Sequence, residues 1–268
     1  MFYIKLKYIF LTAITCAICS AFVYQAIDAP IHIAFKTPHT KVKLDALGNI
    51  YLISDMEVTK YNNAGILQKT FSTKRYGNID FIDVSNPLKL LVYYKDFQQL
   101  LFLDNQLTLS SAPIAFDKLG YEQSNLVCTS SNNSFWLFDK QNNSLLRFSS
   151  DSKQLVKTGN LKTLLGIDIE PNFMQENNGY LYLNAGKNQG ILLFDIYGTF
   201  YKAIAINDIK QFDVVNEQIF YFKDKTLHQY QPSSFNTIQK QFTDTLLKQV
   251  YWQNDRFYKV YRDSLIVQ

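Results

Sequence analysis

The chain has 268 residues, aromatic side chains make up 15% of them, and the formal net charge is +4 at pH 7. This small and scattered charge argues against a nucleic acid or an anionic membrane surface as partner. A chain of this length can form one large β-domain, and its many Tyr and Phe residues favour strands, because these side chains suit pleated, half-buried surfaces.

Residues 1–26 have the layout of a secretory signal peptide. Lys5 and Lys7 form a short basic region, an apolar run follows, and small residues lie near its end. We predict cleavage after Ala21 or Ala26 and export to the periplasm or cell envelope. The alternative is an uncleaved membrane anchor, since the apolar run is close to the shortest length that spans a bilayer. Any membrane association would then involve residues 1–26 alone.

The cysteines agree with export without a disulfide bond. Cys16 and Cys19 lie in the predicted signal peptide, so the mature chain keeps Cys128 alone. Cys128 lies in the strand-like segment "NLVCTSS". This context predicts a small buried hydrophobic side chain rather than a catalytic thiol.

The segment "IHIAFKT", residues 31–37, has the alternating pattern of a β-strand. Ile31, Ile33 and Phe35 are apolar, and the residues between them are His, Ala and Lys. No neighbouring segment resembles its hairpin partner. The strand therefore requires a partner that is distant in the sequence.

A short apolar strand after a polar turn occurs six times, at intervals of about 40 residues, and such a period is typical of propeller blades. A second apolar strand follows each one about 12 residues later, and this constant interval indicates a repeated hairpin. The six first strands are "NIYLI" (49–53), "KLLVY" (89–93), "SFWLF" (134–138), "YLYLN" (180–184), "QIFYF" (218–222) and "RFYKV" (256–260).

Each repeat also has a strand before this hairpin, and the first five have a more polar strand after it, as in "LQKTFS" and "TIQKQF". A polar outer strand is typical of a sheet edge. We therefore predict an all-β fold, a six-bladed β-propeller with four-stranded blades, as a single domain over residues 27–268. A β-sandwich is the alternative, but it gives no reason for the constant hairpin interval.

The sixth repeat ends at Gln268 after three strands and lacks an outer strand. Residues 31–37 form the one strand left unassigned. We predict that this strand pairs antiparallel with the C-terminal segment "SLIVQ" and closes the ring. It would then serve as the outer strand of the sixth blade.

Two repeats, residues 44–71 and 177–204, resemble blades of the NHL type. Each has a polar turn with Gly, an apolar-aromatic strand, a variable polar loop, an apolar strand that ends in an aromatic residue, and a Gly turn. The overall plan is similar to uncharacterised exported propeller proteins of Bacteroidetes-type bacteria. The resemblance implies a six-bladed propeller and leaves the function open, because propellers support binding, scaffolding and catalysis.

Ligands of propellers usually meet the face that carries the loops between blades and the loops between the second and third strands. Charged and polar loop residues on this face are the candidate binding residues, namely Arg75, Tyr76, Asp96, Lys187 and Asn188. We predict a non-catalytic binding or scaffold module of the cell envelope, whose partner is an envelope protein or glycan.

The alternative is a divalent-metal-dependent hydrolase of the gluconolactonase type, with calcium held in the central channel. Hard cations need several converging oxygen ligands. No spacing singles out such a set, so we assign no catalytic residue, metal ligand or cofactor. The oxygen-bearing residues on or near the inner strands are Asp80, Asp83, Asn125, Asn172, Glu176 and Asp213.

Both tryptophans of the predicted domain lie within or beside core strands. We expect Trp136 and Trp252 to pack in the interior rather than to form a sugar-binding platform. The sequence has no His cluster, nucleophile elbow, phosphate loop or dinucleotide fingerprint.

Overall fold

The computed structural model describes residues 29–121 and 124–268, so the predicted signal peptide or anchor, residues 1–26, lies outside the described residues. Strands β1 to β24 form six antiparallel sheets of four strands each, within a compact unit that spans Ile31–Val267. No helix in this described part is long and apolar enough to cross a membrane. The predicted six-bladed β-propeller is confirmed.

Blades 1 to 5 take their strands from the chain in consecutive order, from the inner strand to the outer strand. Blade 1 has β2 (Lys41–Leu44), β3 (Ile50–Ser54), β4 (Glu57–Tyr61) and β5 (Leu67–Ser72). Blade 2 has β6 (Phe81–Asp83), β7 (Lys89–Tyr94), β8 (Gln99–Asp104) and β9 (Ile114–Ala115). Blade 3 has β10 (Ser124–Ser130), β11 (Ser134–Asp139), β12 (Ser144–Ser149) and β13 (Gln154–Lys157).

The second half of the ring follows the same plan. Blade 4 has β14 (Phe173–Asn177), β15 (Tyr180–Asn184), β16 (Ile191–Asp195) and β17 (Phe200–Ile204). Blade 5 has β18 (Asp213–Val215), β19 (Gln218–Lys223), β20 (Thr226–Gln231) and β21 (Asn236–Gln241). Blade 6 has β22 (Gln249–Gln253), β23 (Arg256–Val260), β24 (Ser264–Val267) and, as outer strand, β1 (Ile31–Ala34). A 3-10 turn (Asp117–Leu119) and helix α1 (Leu161–Leu165) lie in the connections that follow blades 2 and 3.

The N-terminal strand closes the ring as predicted. Strand β1 pairs antiparallel with β24, with Ile31 opposite Val267 and Ala34 opposite Ser264. The strand ends at Ala34, three residues earlier than predicted, although the Phe35 N–H still donates to the Asp263 carbonyl at 2.7 Å. The chain must turn here to enter blade 1. The next proline, Pro38, has no backbone N–H with which to continue the ladder.

The turn that leads to the outer strand repeats in blades 1, 2 and 4. Its first residue, Asn62, Asp104 or Asp195, accepts hydrogen bonds through its side chain from the backbone N–H groups two and four residues later. The fourth residue has a positive φ, which is 75° at Gly65 and 80° at Gly198. Glycine adopts this conformation without steric strain, which explains the repeated Gly turns.

The apolar core lies between the blades and is uneven around the ring. Five interfaces each contain between nine and thirteen buried apolar residues. The interface between blades 5 and 6 contains three among the described residues, Leu227, Leu247 and Val250. This interface is therefore the weakly packed one.

Cys128 and Trp136 lie in the core between blades 3 and 4, as expected. Cys128 is fully buried and forms no disulfide bond. Burial raises the pKa of its thiol well above the ordinary value, and the nearby Asp83 carboxylate raises it further. A thiol in this setting stays protonated and unreactive.

Candidate functional site

One end of the central channel opens into a cavity of about 360 Å³ among residues at the start of the inner strands. We call this cavity, with Lys41, Lys43, Lys210 and Lys248 that line it, the lysine mouth. Asp80 is the one carboxylate among its lining residues. The mouth is therefore strongly electropositive, and concave walls concentrate such a field.

Lys43 crosses the channel from blade 1. Its Nζ lies 5.2 Å from the ring centre of Phe173 in blade 4 and 5.9 Å from that of Phe81 in blade 2. It also donates a long hydrogen bond of 3.4 Å to Oε1 of Gln211 in blade 5. This ammonium group is half-buried, and the Asp213 carboxyl group also interacts with its charge. Its one hydrogen bond is long, so an incoming anion would gain a charge-assisted hydrogen bond from it.

The other three lysines are exposed at the rim. The Lys41 Nζ donates to the backbone carbonyl of Asp80 at 2.8 Å, which fixes its position. The Nζ atoms of Lys210 and Lys248 form no hydrogen bond or ion pair with the described residues. The mouth thus has two rim lysines that are available to a ligand.

Below the lysine mouth the channel narrows. The rings of Phe81 and Phe173 meet edge to face, with centroids 6.1 Å apart, beside a space of about 40 Å³ that Asp83 and Asp213 line. Burial raises the pKa of Asp213, while Lys43 lowers it and Asp83 raises it. The constriction therefore combines an aromatic pair with one amino group and two carboxyl groups.

Two of the six oxygen-bearing residues considered as metal ligands form hydrogen bonds between neighbouring blades instead. The Asp83 carboxylate accepts from the N–H and the hydroxyl of Thr129 in blade 3, both at 2.8 Å. The Glu176 carboxylate accepts from the Ser131 N–H at 2.8 Å and from the Trp136 Nε1–H at 2.6 Å. These hydrogen bonds connect blade 3 to both of its neighbours.

The other four candidates are dispersed. Asp80 accepts at 2.6 Å from the Lys95 N–H, Asn172 lines the lysine mouth, and Asp213 lies at the constriction. The Asn125 side-chain oxygen is buried and accepts from no described residue. Within residues 29–121 and 124–268, no three His, Cys, Asp or Glu side chains converge in the manner of a metal site.

Two of the three predicted residues in and before blade 2 are exposed, and the third is buried. Arg75 is exposed, and its guanidinium carbon lies 5.4 Å from the ring centre of Tyr76. Tyr76 is only 9% exposed, and its ring packs on Tyr94 with centroids 5.4 Å apart. Tyr76 therefore belongs to the core between blades 1 and 2 and offers little surface to a ligand. Asp96 is exposed in the turn between β7 and β8.

Lys187 and Asn188 are exposed in the loop between β15 and β16 of blade 4. Blade 3 lies between this loop and the turn that carries Asp96. None of the five predicted binding residues lines the lysine mouth. The four exposed ones form two groups, Arg75 with Asp96 and Lys187 with Asn188, on opposite sides of blade 3.

The opposite end of the channel opens into a second cavity, of about 460 Å³, which extends between blades 5 and 6. We call it the amide cavity. Its aromatic lining comes from Phe220, Tyr221, Tyr251 and Trp252. Its amide lining comes from Gln175, Asn177, Asn216, Gln218, Gln229, Gln249, Gln253 and Asn254. The sequence signal for this cavity was the recurrence of Gln on strands of blades 5 and 6, such as "TLHQYQ" and "QVYWQ".

No protein-family model matches the chain, and no curated protein matches it in sequence. Solved structures share its fold. A selenomethionine-substituted virginiamycin B lyase from Staphylococcus aureus has a TM-score of 0.57 and 9% identity, over 87% of this chain and 82% of that one. A catalytically inactive histidine-to-alanine variant of that lyase with quinupristin has a TM-score of 0.58 and 9% identity, over 87% of this chain and 82% of that one. A streptogramin B lyase has a TM-score of 0.53 and 13% identity, over 85% of this chain and 78% of that one.

The structural similarity supports the propeller fold. Sequence identities of 9% to 13% transfer no residue role to this chain. All three histidines of the chain lie in the described part of the structure. His32 lies on β1, His39 in the turn that follows it, and His228 on β20, and none of them lines the lysine mouth.

Proposed function

We propose that this propeller is a non-catalytic binding module of the cell envelope and that it captures a carboxylate-bearing ligand at the lysine mouth. The observation that carries the proposal is the convergence of four lysines on one cavity that has a single carboxylate, Asp80. Such a field attracts anions and accelerates their association. The ligand is an acidic segment of an envelope protein or an acidic glycan.

The walls of the mouth suit a ligand with an apolar part beside its charge. Phe81, Phe173, Tyr251 and Tyr261 line the same cavity as the lysines. Its volume of about 360 Å³ lies within the range of small-ligand pockets, roughly 300 to 1,000 Å³. A ligand whose carboxylate binds Lys43 would place its apolar part against these rings.

Export to the periplasm or envelope is part of this proposal and rests on the signal-like residues 1–26. The kinship with NHL-type blades and with Bacteroidetes-type exported propellers rests on the repeat pattern in the same way. Neither is needed for the binding chemistry of the mouth. The two predictions therefore stand apart from the binding test below.

The binding test uses two carboxylate-bearing probes, a hexaglutamate peptide and an oligogalacturonate. We expect at least one to bind the purified protein in calorimetry, with affinity that falls as salt rises because exposed charges are screened. The variant K210Q/K248Q should weaken binding about tenfold, since it removes two charge-assisted contacts. The control K69Q/K118Q removes the same charge from exposed positions elsewhere and should leave binding unchanged. Equal affinities of the two variants would refute the proposal.

The gluconolactonase-type alternative is tested on the same protein. Tightly held calcium, detected by metal analysis, together with lactonase turnover, would overturn the binding-module proposal. That turnover should then fall in Asp80→Asn or Asn172→Ala, since these residues hold oxygens at the mouth. A protein without turnover that still binds the acidic probes supports the binding module.

A further inference from the structure

The two tryptophans of the propeller have different surroundings. Trp136 is fully buried, and its Nε1–H donates to Glu176 at 2.6 Å. Trp252 is half-buried and lines the amide cavity. Its ring packs on Phe257 with centroids 4.4 Å apart, and its indole N–H donates to none of the described residues. Trp252 thus offers an aromatic face and a hydrogen-bond donor to the cavity.

A pair of glutamines stands on the blade 5 wall of the same cavity. The Gln229 Nε2 donates to Gln218 Oε1 at 2.8 Å. Each amide has both a donor and an acceptor end, so this bond leaves the Gln218 amino group and the Gln229 carbonyl without a partner among the described residues. The pair therefore presents a donor and an acceptor side by side.

The blade 4 wall also carries a pair of side-chain amides. Gln175 Oε1 accepts from the Val214 N–H, and Asn177 Nδ2 donates to the Val214 carbonyl, both at 3.2 Å. The Gln175 amino group is left over, and the Asn177 Oδ1 is buried without a partner in the described structure. A buried acceptor without a partner is unfavourable, and the Gln175 amino group is the one of the two that can serve a ligand.

We propose that the amide cavity binds a neutral saccharide. A sugar hydroxyl both donates and accepts, so neighbouring hydroxyls match the paired donor and acceptor of the blade 5 wall and the donor of the blade 4 wall. The Trp252 face would cover the apolar side of a sugar ring. The cavity volume of about 460 Å³ is suitable for a ligand of disaccharide size, within roughly 300 to 1,000 Å³.

The charges of its lining make the amide cavity unsuitable for the anionic ligand proposed for the lysine mouth. Asp45, Asp213 and Asp255 line the amide cavity, and no Lys or Arg does so among its described lining residues. The saccharide site thus differs from the lysine mouth in chemistry and lies at the other end of the channel, although Gln249 and Tyr251 line both cavities. It goes beyond the proposed function and does not depend on it.

A peptide strand fits this cavity less well than a saccharide. One common mode of peptide binding adds the peptide as a strand to an open sheet edge. Here the inner edge of β18 is occupied, because Gln175 and Asn177 use both backbone groups of Val214. The cavity therefore offers side-chain amides rather than a backbone ladder.

The experiment titrates the purified protein with cellobiose, maltose, lactose and N,N′-diacetylchitobiose up to about 10 mM, a range suited to weak sites. Binding is followed by tryptophan fluorescence and calorimetry. We expect at least one sugar to bind and to alter the emission of the half-buried Trp252. The variant Q218A/Q229A should weaken this binding about tenfold. The control Q239A/Q241A, on the exposed outer strand β21 of the same blade, should not.

A second variant keeps the test decisive if the double substitution lowers stability. Trp252→Phe retains an aromatic ring against Phe257 but removes the indole N–H, and we expect weaker sugar binding with an unchanged melting temperature. K210Q/K248Q should leave sugar binding unaltered. The proposal is overturned if no sugar of the panel binds, if the cavity variants bind like the control, or if a neutral hexapeptide binds in its place with the same dependence on Trp252.

Discussion

The interface between blades 1 and 2 and the interface between blades 5 and 6 occupy equivalent places in the ring but are built differently. The first contains thirteen buried apolar residues, among them Tyr51, Tyr94 and Leu103. The second contains Leu227, Leu247 and Val250 and borders the amide cavity. The ring therefore packs many apolar side chains between blades 1 and 2 and few between blades 5 and 6, where polar side chains line a cavity instead.

The strands themselves show the origin of this difference. Strand β7, "KLLVYY", has five buried residues out of six, whereas β19, "QIFYFK", has two. Strand β20, "TLHQYQ", has one. Blade 5 thus carries polar residues at strand positions that are apolar in blade 2. Natural proteins commonly accept lower local stability where a site has to bind a ligand.

The largest effect is expected where the closure of the whole ring is broken. Deletion of residues 27–38 removes β1, its ladder with β24 and the buried Ile33 side chain. Strand β24 would then have an open edge, in a blade that already packs weakly against blade 5. We expect thermal unfolding to lose its cooperativity in calorimetry. A truncated protein that melts like the full chain would refute the closing role of β1.

A point variant checks that this loss comes from the strand and not from any change near the N-terminus. His32→Ala alters an exposed side chain of β1 and should change the stability by less than about 0.5 kcal/mol.

Much of this architecture followed from the sequence, because the period, the hairpin interval and the missing sixth outer strand are properties of local segments. The end of β1 at Ala34 did not, since it depends on where the chain must turn into blade 1. The lysine mouth was missed because its lysines precede or lie on inner strands that are far apart in the chain. The repeated "KQ" at 210–211 and 248–249 was the available signal.

The loop residues were chosen by a different rule, that charged loops of one face bind ligands. The rule gave Arg75 and Lys187, which are exposed, but it also gave Tyr76, which the structure places in the core. The two tryptophans show the same limit. Trp136 and Trp252 both lie on strands, yet their exposure depends on the facing blade. Such partners are set by the assembled ring and not by the local pattern.

A matched pair of leucine substitutions measures the contrast between the two interfaces. Leu103→Ala opens a void in the packed interface and should lower the free energy of unfolding by about 3 kcal/mol. Leu227→Ala borders an existing cavity, so it loses fewer contacts and should cost about 1 kcal/mol. Both values come from chemical denaturation of the full protein. Equal losses would show that the interface between blades 5 and 6 is packed as tightly as the other.

A change of opposite sign, and no larger, should come from making the weak interface resemble the strong one. The variant Q218L/Q229L replaces two half-buried amides with apolar side chains that pack across the cavity. We expect a gain of about 1 kcal/mol in the free energy of unfolding, because apolar surface leaves water. The control Q239L/Q241L adds the same side chains to the exposed strand β21 and should give no gain.

The same variant connects the packing contrast to function. Sugar binding should be lost together with the gain in stability, because the leucines fill the space and remove the donor and acceptor of the pair. Loss of binding without a gain in stability would mean that the amides already contribute as much to the fold as apolar side chains would. A gain in stability with binding retained would place the saccharide elsewhere on the ring. Only the combined change supports the view that blade 5 gives up packing in order to hold a polar ligand.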